Sequence, residues 1–144
     1  MSLYVDTSCF LKLLFTEPGS DRVVELAMTE PRLIISALTR LEALVQVKSR
    51  EVGGTLTGRE GDKIRQKLES LLEAPPFESA DIPGTAFRAA EQQARASRKG
   101  AHCRSLDRLH LAAMESIGVR RLATTDIQQA AAARALGFEV VFPR

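Results

Sequence analysis

Cysteine is scarce, long apolar runs are missing, and neither sign of charge dominates. Cys9 and Cys103 are the two cysteines; they lie far apart and form no CxxC or metal-type pair. Both therefore read as reduced thiols, and no thiolate metal site is expected. No apolar stretch approaches the ~20 residues of a membrane-spanning helix. The N-terminus runs straight into an apolar strand with no basic, cleavable leader, so a cytoplasmic protein away from the membrane is expected. A formal charge of +2 is too small to mark a nucleic-acid binder by itself. Repeats, linkers and low-complexity segments are missing too. The 144 residues sit near the commonest domain size of roughly 100–150, so 1–144 read as one domain. A hydrophobic fraction of 44% argues against disorder.

The stretch that is present and informative is Leu3-Tyr4-Val5-Asp6-Thr7-Ser8. An apolar run suited to a strand covered on both faces stops at an acid, followed by two hydroxyls where a helix can begin. Thr7 to Phe15 reads as that helix, ended by Pro18-Gly19. Ser20 or Asp21 is expected to cap the next helix, and Leu33-Ile34-Ile35 to form the second strand. A third helix runs from Ser36 to about Arg50, with Leu38, Leu41 and Val45 on one apolar stripe. Glu42 interrupts that stripe. Burying it unpaired would cost several kcal/mol, on the order of known penalties, so it either meets solvent or faces a positive group.

Beyond Gly53-Gly54, Arg59 to Glu73 reads as a more exposed helix turning Ile64, Leu68, Leu71 and Leu72 inward. Phe77 to Ala80 is a weak strand, suited to a sheet edge. Ala86 to Arg98 is an alanine-rich helix, and Ser105 to Ile117 a well-marked one. On the latter, Leu106, Leu109, Ala113 and Ile117 form the expected inner face. Asp107, His110 and Met114 lie beside it, and Arg104, Arg108 and Glu115 are placed towards solvent. Arg121 to Thr124 is a strand, Ile127 to Leu136 a helix, and Phe138 to Phe142 the last strand. Such alternation implies an α/β fold: a three-layer α/β/α sandwich on a parallel sheet of four or five strands.

Residues 1–72 hold ten basic and ten acidic residues, and 73–144 hold ten and eight. Arg95, Arg98, Lys99, Arg104, Arg108, Arg120 and Arg121 cluster late, against Asp107 and Glu115. This reads as a solvated helix face as readily as a phosphate-binding patch.

The acids of interest are Asp6, Glu42, Asp107 and Asp126. Singly, Asp6 and Asp126 can each be helix N-caps, and Asp107 favours its helix's dipole. Together they differ, because Asp6 and Asp126 both follow strands and share the carboxyl edge of a parallel sheet. Carboxylates gathered there repel one another unless a cation neutralises them, and hard oxygens without a His or Cys cluster suit Mg²⁺ or Mn²⁺. Such sites commonly serve phosphoryl chemistry.

In order, the first stretch, Leu41-Glu42-Ala43, Leu106-Asp107-Arg108-Leu109-His110-Leu111-Ala112 and Leu122-Ala123-Thr124-Thr125-Asp126 resemble the successive motifs of PIN domains, VapC toxins of type II toxin–antitoxin systems above all. The resemblance spans Leu3 to Val141. It implies a metal-dependent ribonuclease, usually a homodimer, silenced by a cognate VapB antitoxin. It carries the acidic ligands for Mg²⁺ or Mn²⁺ onto Asp6, Glu42, Asp107 and Asp126. Thr7, Ser8 and Thr125 match hydroxyl positions that orient ligand, water or phosphate. The reaction implied is attack of activated water on phosphorus, leaving a 5′-phosphate and a 3′-hydroxyl. Cys9, Arg108 and the His102-Cys103 pair depart from the usual pattern. His102-Cys103 reads as loop, and His110 as a packed histidine in preference to a general acid.

The rival reading is a non-catalytic RNA-binding or regulatory domain whose carboxylates only cap helices. A phosphoacceptor receiver fits poorly, since no lysine occurs beyond Lys99. A haloacid-dehalogenase-type phosphatase would need an aspartate where Ser8 stands.

Overall fold

The computed structural model describes residues 1–143. Its strands are β1 (Leu3–Val5), β2 (Leu33–Ser36), β3 (Phe77–Ala80), β4 (Arg121–Ala123) and β5 (Glu139–Val141). Its helices are α1 (Thr7–Leu14), α2 (Ser20–Thr29), α3 (Ala37–Val52), α4 (Gly58–Glu73), α5 (Thr85–Ala96), α6 (Ser105–Ile117) and α7 (Ile127–Ala135). All strand pairings are parallel, in the order β3-β2-β1-β4-β5. The expected three-layer α/β/α arrangement is what forms.

The central strand shows how the layers arise. Leu3, Tyr4 and Val5 are all buried, because helices cover both faces of the sheet. Side chains of a strand alternate between faces. Leu3 and Val5 join Leu33, Ile35 and Ala123 in a core with Phe10, Leu14, Val47 and Leu68, from α1, α3 and α4. Tyr4, Ile34 and Leu122 go the other way, against Leu111 and Met114 of α6 and Ala132 and Ala133 of α7. The weak strand at Phe77 is real and lies at one edge, where Glu78 pairs with Arg32 at 2.7 Å. Short, charged edge strands of this kind discourage further pairing.

Local signals set most helix ends. Asp6, Ser36 and Asp126 each accept a backbone N–H of the helix that follows. Thr57 and Glu60 close a reciprocal capping box on α4. Gly118 and Gly137 end α6 and α7 with φ of 79° and 83°, where a side chain would be strained.

Three expectations need correction. Ser20 does not cap α2: Gly19 takes that place, and the Ser20 hydroxyl instead donates to the Phe15 carbonyl. On α6, Arg108 is 4% exposed and Leu106 is 49% exposed, the reverse of the periodicity reading. The helix is buried against the sheet and against α5, where Gln93 donates to Glu115 at 2.7 Å. Its inner arc is therefore too wide for one stripe to define. On α3, Leu41 and Val45 are exposed, while Ala43 and Val47 carry the packing.

Candidate active site

The strand ends and the helices that leave them build one cavity. Val5 pairs with Ala123 across β1 and β4, so the residues just beyond, Asp6 and Thr124, emerge side by side. The register is continued by Asp6 N–H donating to the Ala123 carbonyl at 3.1 Å. A cavity of about 390 Å³ opens above this edge, and Asp6, Glu42, Asp107 and Asp126 all line it. Thr7, Ser8, His110, Arg104, Gln46 and Gln129 complete its polar wall, and Leu11, Leu38, Leu41, Val45 and Leu106 its apolar one. The misplaced stripe of α3 is thus the cavity wall.

Asp6 is the most enclosed of the acids, at 1% exposure. Its Oδ1 accepts from the Ser8 hydroxyl at 2.7 Å and the Cys9 amide at 3.0 Å, and its Oδ2 from the Thr124 hydroxyl. Burial pushes its carboxyl above the ordinary range, and these bonds, together with the charge of His110, offset part of that push. Ser8 Oγ also accepts from the Thr125 amide at 3.0 Å, tying β4's exit to α1.

Glu42 finds the positive-leaning partner that its position on α3 called for. His110 Nε2 lies 2.5 Å from its Oε1, and the Thr7 hydroxyl donates to the same oxygen at 2.7 Å. Burial alone would raise this carboxyl. The bonds from His110 and Thr7, with the charges of His110 and Arg104, outweigh burial and hold it below the ordinary range.

Asp107 and Asp126 are held differently. Asp107 sits 3.3 Å from Arg104 Nε, within its own helix start. Asp126 Oδ1 caps α7, accepting from the amides of Gln128 and Gln129 at 2.9 and 3.1 Å. Thr125 contributes its amide and does not line the cavity, unlike Thr7 and Ser8. His102 and Cys103 lie in the loop before α6, as expected. Both cysteines are free and buried, and burial pushes both thiols up, which leaves them unreactive.

Sequence reasoning missed the roles of Tyr4, His110 and Thr124. Tyr4 is the one tyrosine of the chain, set inside an aliphatic strand, and that oddity was the available signal. His110 lies one turn from Asp107 on the same side of α6, a spacing that put it within reach of the site.

The family model that matches is the PIN domain, over residues 3–135. The chain belongs to the PIN domain family. PIN nucleases generally use divalent metals. No curated protein sequence matches the chain. Among solved structures, VapC20 of Mycobacterium tuberculosis, a sarcin-ricin loop cleaving toxin, is similar at 14% identity and a TM-score of 0.69, covering 94% of this chain and 95% of that one. FitAcB of Neisseria gonorrhoeae is similar at 21% identity and a TM-score of 0.71, covering 98% and 97%. VapBC2 of Rickettsia felis, bound to a DNA fragment from its promoter, is similar at 14% identity and a TM-score of 0.69, covering 99% and 98%. These likenesses show the PIN fold.

The donors can be tested against a metal directly. Carboxylates and hydroxyls line the cavity, with no thiolate among them, and this suits a hard divalent cation. Arg104 is the one Lys or Arg among the described residues lining it, too little positive charge for the acids present. No three His, Cys, Asp or Glu side chains among the described residues stand close enough to enclose an ion alone. The cavity thus offers no ready-made protein cage among the described residues, and a hard cation bound there would keep waters of its own.

Proposed function

We propose that this chain is a single PIN-like nuclease domain, a Mg²⁺- or Mn²⁺-dependent endoribonuclease acting as the toxin of a VapBC-type pair. The observation that carries the reading is the convergence of Asp6, Glu42, Asp107 and Asp126, from separate stretches of chain, on one cavity at the carboxyl edge of a PIN sheet. These are the residues that would hold the cation. When bound, it would lower the pKa of a water and neutralise charge on a phosphodiester. The protein's own part is to aim the carboxylates. Ser8 and Thr124 fix Asp6, Thr7 and His110 fix Glu42, and the α7 amides fix Asp126. Leu38, Leu41 and Val45 give the cavity an apolar wall that limits its water. No side chain is required as a nucleophile.

The test is cleavage of RNA with added Mg²⁺ or Mn²⁺, compared with Asp6→Asn and Asp126→Asn. Metal-dependent cleavage by the wild type, lost in both variants, is expected. Equal activity in all three proteins would end the reading.

An antitoxin partner and a homodimer belong to the same proposal, as does a cytoplasmic site of action, where RNA is met. The surface we assign to the antitoxin is the exposed face of the early helices, roughly residues 20–72, where Val24 and Met28 of α2 are 44% and 82% exposed beside a groove formed with Leu13 and Phe15. Co-expression with the upstream gene product should rescue growth and yield a complex. An upstream product that neither binds nor rescues would count against a VapB-like partner.

A further inference from the structure

We infer that His110, backed by Tyr4, is a positioning residue that fixes the Glu42 carboxylate for a cation. The inference rests on the metal-nuclease reading of the cavity. Its basis is a file of polar groups that crosses the protein. Ser36 Oγ lies 2.7 Å from Tyr4 Oη, and Tyr4 Oη lies 2.6 Å from His110 Nδ1. His110 Nε2 lies 2.5 Å from Glu42 Oε1. The rings of Tyr4 and His110 meet edge to face, with centroids 5.6 Å apart. Ser36, Tyr4 and His110 are each 0–1% exposed, so water does not substitute for any of them.

An ionised Glu42 only accepts, so Nε2 carries a hydrogen. Nδ1 and Tyr4 Oη share a second hydrogen between them, and Tyr4 Oη is bonded in turn to Ser36 Oγ, which accepts from the Thr39 amide at 3.2 Å. The imidazole cannot flip without leaving a buried donor or acceptor unpaired. A core histidine needing only satisfaction could have ended on any carbonyl. This one ends on the acid of α3 that lines the cavity. The bonds from His110 and Thr7 both land on Oε1, so Oε2 receives neither of them. Residues behind a ligand that set its orientation commonly change metal affinity or activity by 10–100-fold when removed, on the order seen for such outer partners.

The test compares wild type, Tyr4→Phe, His110→Ala and His110→Gln. Mn²⁺ binding is measured by isothermal calorimetry without RNA, and the metal-free histidine ring by ¹⁵N NMR. Tyr4→Phe removes one oxygen and should weaken Mn²⁺ binding by about tenfold or more. His110→Ala should weaken it at least as much, and His110→Gln, whose amide nitrogen can replace Nε2–H, should recover part of the loss. The wild-type ring should carry a hydrogen on Nε2. Mn²⁺ affinity unchanged within about twofold in a folded Tyr4→Phe, or a ring protonated on Nδ1 alone, overturns the inference. If His110→Ala does not fold, Tyr4→Phe and the NMR measurement still decide it. Asp6→Asn and Glu42→Gln serve as the control for the underlying reading. Should these bind Mn²⁺ as the wild type does, the metal site itself fails. Should they lose it while the Tyr4 and His110 variants keep it, only the positioning role fails.

Discussion

The two sides of the cavity are held by different means. On the β1–α3 side, each acid takes a bond from a residue far off in sequence: Thr124 for Asp6, which also caps α1 through the Cys9 amide, and His110 for Glu42. On the α6–α7 side, Asp107 and Asp126 are served by their own neighbours, Arg104 and the amides of Gln128 and Gln129. Locally held acids double as helix-start residues, and capping alone would explain them. Asp6 shares that excuse through its cap on α1 and adds a bond across the sheet to Thr124, but Glu42 has none, since a stable helix α3 gains nothing from a mid-helix carboxylate bonded to α6. The difference separates what folding needs from what a site needs. It also argues against the purely structural reading of the acid set, which accounts for the α6–α7 side and leaves Glu42 unexplained.

Catalysis should erase this distinction, because every acid would serve the same cation. Asp6→Asn, Glu42→Gln and Asp126→Asn should each lower metal-dependent RNA cleavage by on the order of 10²–10³-fold, the worth of several kcal/mol of lost charge stabilisation. A gel-based cleavage assay at saturating Mn²⁺ checks this. Full activity in Asp126→Asn alone would confine the site to the remotely held side.

Mn²⁺ should stabilise the fold through both sides at once. At a hundred times its Kd, a ligand specific to the folded state adds about 2.7 kcal/mol. For a chain of this size that raises Tm by roughly 5–10 °C. Differential scanning fluorimetry with and without EDTA reads it, and the shift should vanish in Asp6→Asn.

Capping and charge can be parted at Asp126. Asp126→Ala should cost ~1 kcal/mol of stability by losing the α7 cap, a Tm loss of roughly 2–4 °C. Asp126→Asn keeps a capping oxygen and should melt near the wild type, although both variants should lose metal-dependent cleavage. Equal melting of the two would mean that the cap does not matter.

The smallest effects concern pH in the metal-free protein. Burial holds the Asp6 carboxyl high, so the folded form takes up a proton before the unfolded one. Its penalty is therefore full at neutral pH and fades as pH falls through the raised folded value to the unfolded ~3.9. Asp6→Asn should melt above wild type at pH 8, with the gap closing towards pH ~4. Glu42 has the opposite sign. Held below the ordinary range despite burial, it adds stability above the unfolded ~4.3 that is lost as pH falls through its lowered folded value. Glu42→Gln should accordingly melt below wild type at pH 7 in EDTA. Matching signs for the two variants would contradict the assignment.

The same divide governs what could be read in the sequence. Strand ends that stop at Asp6 and Asp126 are local patterns, and both the strand and the cap were legible. The five-stranded sheet followed from apolar runs alternating with helices, down to the weak edge strand at Phe77. The inner faces of α3 and α6 were not legible. Periodicity measures one stripe, whereas α6 is enclosed by sheet and helix together and draws Arg108 inside, with its guanidinium donating to the Ala101 carbonyl at 3.1 Å. Leu41 and Val45 looked like core because nothing in a sequence says that an apolar stripe lines a cavity. Glu42 was legible only as a misfit. The bond that explains it crosses 68 positions, and Tyr4 reaches His110 across 106. Such pairings are set by sheet order and register, which no short motif records.

Crystals grown with Mn²⁺ and measured for its anomalous scattering would test the central claim most directly. A peak bounded by Asp6, Glu42, Asp107 and Asp126, absent in crystals of Asp6→Asn, is the result predicted. Saturating Mn²⁺ that leaves this cavity without a peak, or that occupies another surface alone, would contradict it.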